Sequence, residues 1–458
     1  MKIKSNLFPF DQLGKIDYIL GGAIFLFLFL GFYEPDIIYT GLNSLNFLFG
    51  DPLDFYENCK KIQGHGIIPL VNYPPSIFLI FALWIFPLKL LGLIINPYNF
   101  PVYLVYWLKT LTTLVYIAAG IVFYKITQSY YKNKNWGIQA TWLWLSTPIA
   151  VCIQFIFTEY DIFYVFFTLV GFLFFLKQRI FLGSFIFGIA VTFKYFPFLV
   201  FLPLLLFFEK KPFKLVFYFF IFLVPHLIIK IIYGHSLAYI QGVRCFAVMY
   251  RVFDVYLNFR AYDVKLLFFF LIFSFLCCFS YYLNFTENYK RVSAYILLVG
   301  SIFPFLCLSW HPNWLLFTTP GILLTTVLNQ HNKTAKLLML DLYGFYFFVA
   351  YIVTLNAYKN IFDLAMFHAN IFHIKHKYLL RMDNFYPFLD YFDSFKANIY
   401  FSIFLGYLVF QLITKYRIIS DVSSEGPGYY SYHQVRINYY CGISIFLIPA
   451  ILAFFINK

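Results

Sequence analysis

Apolar runs long enough to cross a bilayer recur along almost the whole chain, separated by short polar turns. The runs are continuous rather than alternating, so they predict helices and argue against an outer-membrane barrel. The first covers about Ile16 to Phe32. Later ones fall at about 102–124, 137–156, 160–176, 180–193, 195–209, 213–233, 264–284, 292–309, 313–329, 336–356, 397–414 and 437–456. Together they predict an all-α, polytopic transmembrane helical bundle of about thirteen spans.

One further apolar segment, Ser76 to Ile95, is opened by Pro74-Pro75 and interrupted by Pro87. Whether it crosses decides the side of everything after it. If it lies in the interface or re-enters, the basic residues at 125–134, 177–179, 210–214, 290–291, 333–336 and 415–417 share a face with Lys2, Lys4 and Lys15. If it crosses, the group at 125–134 is stranded on the other face. Lys and Arg gather on the cytoplasmic side, so an interfacial or re-entrant helical first outer loop is expected. Pro87 fits that reading, because proline removes a helix hydrogen bond and bends the segment.

Composition narrows the class. Of 458 residues, 62% are hydrophobic and 12% charged, with a mean hydropathy of +0.75, which excludes a soluble globular protein. The first apolar run has no small-residue cleavage site and is expected to remain in the bundle. The formal charge of +14 follows from the topology bias and calls for no nucleic acid. Seven cysteines form no CxxC pair and no metal-ligand spacing, and a Cys59–Cys245 disulfide stays open from spacing alone.

The acids are the informative charges. Five of them, Glu34, Asp36, Asp51, Asp54 and Glu57, fall in the polar stretch from Phe32 to Ile77, and the same parity puts most others outside. Asp36 follows the first span directly, where a carboxylate loses part of its hydration. Glu34 and Asp36 then either merely end the span or serve chemistry there. The turn FTEYDIFY sets Glu159 and Asp161 between two spans, and GIAVTFKYFPF leaves Lys194 at another junction. Lys194 reads equally as a structural partner of Asp161 or as a phosphate clamp. Arg244, Arg251 and Arg260 lie among aromatic residues in the segment 233–265, where lipid headgroups are the simpler partners and a phosphate the alternative. His311, in SWHPNW, either caps a turn or serves as an acid/base group or phosphate ligand.

A first span, an acidic outer loop and a YPP segment, followed by FTEYDIFY, a short basic loop and the FK of GIAVTFKYFPF, resemble the GT-C superfamily of integral-membrane glycosyltransferases. SWHPNW is similar to the His-Pro-aromatic turn of some bacterial members. The resemblance is best from Tyr33 to about Phe208, and it implies a GT-C-like module over 1–233, with outer loop 34–76, followed by a variable region over 234–458 with outer loops 234–264 and 357–396. It implies transfer of a sugar from a polyprenyl-phosphate carrier to a hydroxyl of a glycan or glycolipid acceptor on the outer or lumenal face of the membrane, with inversion. The family's base maps onto Asp36, or onto Glu34 because the motif is EPD, and its second acidic turn onto Asp161 with Glu159 beside it. No particular cofactor is implied, and a divalent metal stays open without a fixed ligand set. A bacterial plasma membrane is the expected location, with an ER membrane as the alternative. The rivals are a surface-polysaccharide polymerase or ligase using undecaprenyl-linked donors and a lipid-linked glycan flippase.

Overall fold

The computed structural model describes residues 14–32, 35–63, 71–94, 101–132, 134–244, 251–259, 264–286, 288–308, 310–329, 331–354, 394–419, 435–444 and 447. Glu34, Cys245, Arg260 and the side chain of Arg244 lie outside these, as does the expected loop 357–396 but for 394–396.

Among the described residues the apolar runs are largely helical. In chain order they are α1 (Lys15–Gly31), α2 (Pro35–Phe49), α3 (Phe55–Gln63), α4 (Pro75–Leu90), α5 (Val102–Tyr130), α6 (Lys134–Ser146) and α7 (Pro148–Val151), which runs into a π-turn at Cys152–Phe157. Then come α8 (Ile162–Leu176), α9 (Ile180–Val191), α10 (Phe198–Phe208), α11 (Pro212–Tyr233) and α12 (Leu237–Tyr239). After the strands β1 (Tyr256–Phe259) and β2 (Val264–Leu267) follow α13 (Phe268–Tyr282), α14 (Tyr289–Cys307), a 3₁₀ turn at Pro312–Thr318, α15 (Thr319–Val327), α16 (His331–Thr354) and α17 (Ser394–Lys415). Proline begins α4, α11 and the 3₁₀ turn, where its missing N–H is no loss.

Among the described residues four helices are long and apolar enough to cross a membrane, or up to six if each of two bent pairs is one span. The protein is thus mostly helical, with the apolar helices of a multi-pass membrane protein. Several expected spans prove short. Helices α8, α9 and α10 have 15, 12 and 11 residues, against the roughly 20 that a bilayer core requires. An all-α expectation also omits the antiparallel β1–β2 ribbon, which pairs Tyr256 with Leu267 and Phe259 with Val264.

The chain forms two compact units that interleave along the sequence. The first comprises 1–34, 130–158 and 322–458. In it α1 packs on the π-turn, and α16 lies so close to α17 that a Cβ on Gly344 would meet the Tyr407 ring at 2.6 Å. Buried Asp17 takes the Arg436 guanidinium at 2.6 Å and also accepts the Tyr440 hydroxyl. Asp341 accepts hydrogen bonds from Tyr407 and Gln411, while Lys415 donates to Thr326 and to the Ile322 carbonyl.

The second unit comprises 35–129 and 159–321. Here α2 packs on α4, α9 lies between α8 and α11, and α10 packs on α13 and α14. Trp84 and Trp107 stack at 5.1 Å and exchange hydrogen bonds, each indole N–H donating to the other's carbonyl. Of the loop acids, Glu57 accepts the Ser236 hydroxyl at 2.8 Å and the Ala238 N–H at 3.0 Å, so it ties α3 to the start of α12.

Candidate active site

Three breaks in helical structure, all within the second unit, supply the polar groups. Asp36 sits in the first turn of α2, half-buried. Glu159, Tyr160 and Asp161 form the turn that opens α8, and all three are buried. The residue before them, Thr158, has φ 53, a left-handed conformation that is strained for a β-branched side chain. Lys194 lies in the non-helical stretch between α9 and α10, where Thr192 accepts the Ser76 hydroxyl from the start of α4 at 2.8 Å.

These groups converge. Lys194 Nζ donates to Asp161 Oδ1 at 2.6 Å, and the two side chains are 11% and 1% exposed. The same ammonium lies 4.9 Å from the Trp314 ring, 5.5 Å from Tyr164 and 5.6 Å from Tyr73, an aromatic box that attracts a cation. The Asp36 carboxyl lies near that of Glu159 and feels the Lys194 charge. Burial lifts the Asp36 carboxyl above its usual range, against the pull of Glu159 and Lys194. Asp161 Oδ2, Asn313 Oδ1 and Trp314 Nε1 are buried with no hydrogen-bond partner among the described residues. Such atoms normally find one.

Beside the cluster is a cavity of about 370 Å³. Its wall is aromatic and aliphatic, and Tyr73, Phe196, Phe198, Phe269, Phe273 and Trp314 line it. Two charged side chains reach it, Lys194 and Arg251, both cationic. His311 stands edge-on to Trp314 at 5.2 Å. Burial, with Arg251 and Lys194 nearby, holds its imidazole down to about 4, so it is neutral at neutral pH and can accept a hydrogen bond.

Of the residues named from the sequence, Asp36, Glu159, Asp161 and Lys194 come together, and Arg251 and His311 stand at the cavity end of the group. Tyr73, where the YPP motif begins, and Asn72 line the same cavity, but neither carries a charge that marks it in the sequence. The phenylalanines of α13 carried no signal, since 65 of them are spread through the chain. Among the described residues no group of three His, Cys, Asp or Glu could hold a metal ion. Set against protein-family models, curated proteins and solved structures, the chain matches none.

Proposed function

We propose that the chain is a membrane glycosyltransferase of the GT-C type, which moves a sugar from a polyprenyl-phosphate carrier to an acceptor hydroxyl at the outer or lumenal face. The observation that carries this reading is the cavity: two cations on an otherwise aromatic wall, next to a half-buried carboxyl. A lipid phosphate needs that combination. Its anion meets Lys194 and Arg251, and the adjoining isoprene units meet the phenylalanines.

In this mechanism Asp36 accepts the proton as the acceptor oxygen attacks the anomeric carbon. The bond from that carbon to the phosphate oxygen breaks, its electron pair leaves on the phosphate, and the fixed cations stabilise the charge. One direct displacement inverts the anomeric centre. Surface polysaccharide or glycolipid synthesis, in a bacterial plasma membrane or in an ER membrane, is the setting this chemistry suits. The thirteen-span topology, with α4 in the interface, belongs to the same proposal.

One observation favours a different reading, a lipid-linked glycan transporter: Asp341 and Lys415 are buried ionisable groups within apolar helices. Their nearest atoms are held by Tyr407, Gln411, Thr326 and a backbone carbonyl, which suits a structural network better than a substrate path.

The test is binding of undecaprenyl phosphate, and of undecaprenol as the uncharged control, to the purified full chain in nanodiscs. The phosphate is expected to bind at least tenfold more tightly than the alcohol. Lys194→Ala and Arg251→Ala should remove most of that preference. Lys89→Ala should not, because Lys89 holds the Leu48 carbonyl and sits over Phe49. Equal binding of phosphate and alcohol, or a preference untouched by both cavity variants, would overturn the reading.

A further inference from the structure

In an antiparallel ribbon the register decides which side chains share a face, because opposed residues point the same way and neighbours along a strand alternate. In β1–β2 Leu257 opposes Leu266 and Phe259 opposes Val264 on one face, while Tyr256 opposes Leu267 and Asn258 opposes Lys265 on the other. The first face is wholly apolar. The second carries the polar groups, and the Lys265 ammonium lies 4.5 Å from the Tyr256 ring, a diagonal contact that fits a shared face. A slip of one residue would mix the two sets.

The apolar face is open. Leu257, Phe259 and Val264 are 53%, 53% and 56% exposed, and Leu266 is half-buried. Two paired strands are barely stable in water by themselves, so a face of this kind needs a cover. The neighbouring chain shows which. β2 passes without a break into α13, whose Phe270, Leu271 and Phe275 are exposed as well, and exposed Phe253 before β1 sets its ring 5.9 Å from that of Phe270. The ribbon is thus joined to an apolar helix surface that suits lipid. A second copy of the chain is a poorer cover, since a stable protein interface draws on about 20 residues a side and this face offers four. Lys265, on the opposite face, suits anionic headgroups. We propose that β1–β2 lies flat in the bilayer interface, with Leu257, Phe259, Val264 and Leu266 toward the acyl chains and Asn258 and Lys265 toward the headgroups. Arg251 and Val252 precede the ribbon and Phe269 and Phe270 follow it, and all four line the cavity. The ribbon therefore holds that part of the cavity wall at the lipid surface. This anchor stands whether or not the chain transfers a sugar; on the transferase reading it sets Arg251 near the level of the carrier's phosphate.

Fluorine NMR of the full chain in nanodiscs tests the placement. Para-trifluoromethyl-phenylalanine replaces Phe259 on the apolar face and, in a second preparation, Tyr256 on the polar face, so each position keeps an aromatic ring. Dissolved oxygen concentrates in the bilayer, whereas a neutral nickel chelate stays in water, and each broadens the fluorine signal it reaches. The ratio of oxygen to chelate broadening is expected to be severalfold larger at Phe259 than at Tyr256. An equal ratio at the two positions, or chelate broadening that dominates at Phe259, would put the ribbon in water and overturn the proposal. A signal at Phe259 shielded from both reagents would overturn it too, because a protein surface, such as a second copy, then covers the face. Undecaprenyl phosphate takes no part in the measurement, so this placement and the transferase reading can fail separately.

Discussion

Lys194 Nζ lies 2.6 Å from Asp161 Oδ1, although the two residues are 33 positions apart and on opposite sides of the α8–α9 hairpin. The pair closes that hairpin at the end where both helices meet the cavity cluster. Its oxygen partner is almost fully buried, so the ion pair cannot be replaced by water at low cost.

Removing one member should therefore cost stability. Lys194→Ala leaves a buried acid without its cation, and a loss of about 3 kcal/mol is expected. Adding Asp161→Asn removes the stranded charge, so the double variant should be more stable than Lys194→Ala alone. Unfolding midpoints of the three proteins in nanodiscs measure this. A double variant less stable than the single one would mean that Asp161 holds something other than Lys194.

Glu57 gives a pH signature of a different kind. Hydrogen bonds from the Ala238 N–H and Ser236 hydroxyl hold its carboxyl below the ordinary 4.5. A depressed carboxyl contributes stability above its unfolded value and loses it as pH falls through the lower folded value. The Ala238 amide should thus be protected from hydrogen exchange at pH 7 and lose protection as pH falls below the ordinary carboxylate value through the lower folded one. In Glu57→Gln that pH dependence should disappear, which mass-resolved exchange over the α12 peptide would show.

Asp161 and Lys194 stand out in the sequence because each interrupts an apolar run, and a charge at a span junction needs a partner. Asp36 and Glu159 stand out for the same reason. Other features leave no such mark. The apolar runs around Phe172 and Phe201 do not show how short α8 and α10 are, since periodicity vanishes when every face is hydrophobic. The cavity wall from Phe269 and Phe273 looks like any other phenylalanine pair in this chain. Asp17 and Arg436, 419 positions apart, are joined by tertiary packing that no local pattern announces.

His311 should titrate far below a free imidazole. Its folded value near 4 lies under the ordinary 6.5, so the unfolded chain binds the proton first. Stability is untouched above about 6.5 and falls as pH drops from there toward 4. Titration of ¹⁵N-histidine-labelled protein, with His311→Gln to assign the resonance, is expected to show one imidazole still neutral at pH 5.5. Titration of His311 near 6.5 would mean that it is neither buried nor in the field of Arg251 and Lys194.

Asp36→Asn is the sharpest test of the chemistry. The substitution keeps the size of the side chain, but it cannot take a proton from an attacking hydroxyl. Turnover with a panel of undecaprenyl-phosphate hexoses should fall by about two to four orders of magnitude. Binding of undecaprenyl phosphate should persist, because the cations on the cavity wall are Lys194 and Arg251 and the change removes a negative charge rather than adding one. Asp51→Asn and Asp54→Asn should be mild by comparison, since both residues are exposed and Asp51 only caps the Leu53 N–H. Measuring turnover and binding on the same preparations separates the roles. Retained binding with lost transfer assigns the base to Asp36, while near-normal transfer removes Asp36 from that role and points to Asp161, whose free oxygen lies in the same cluster.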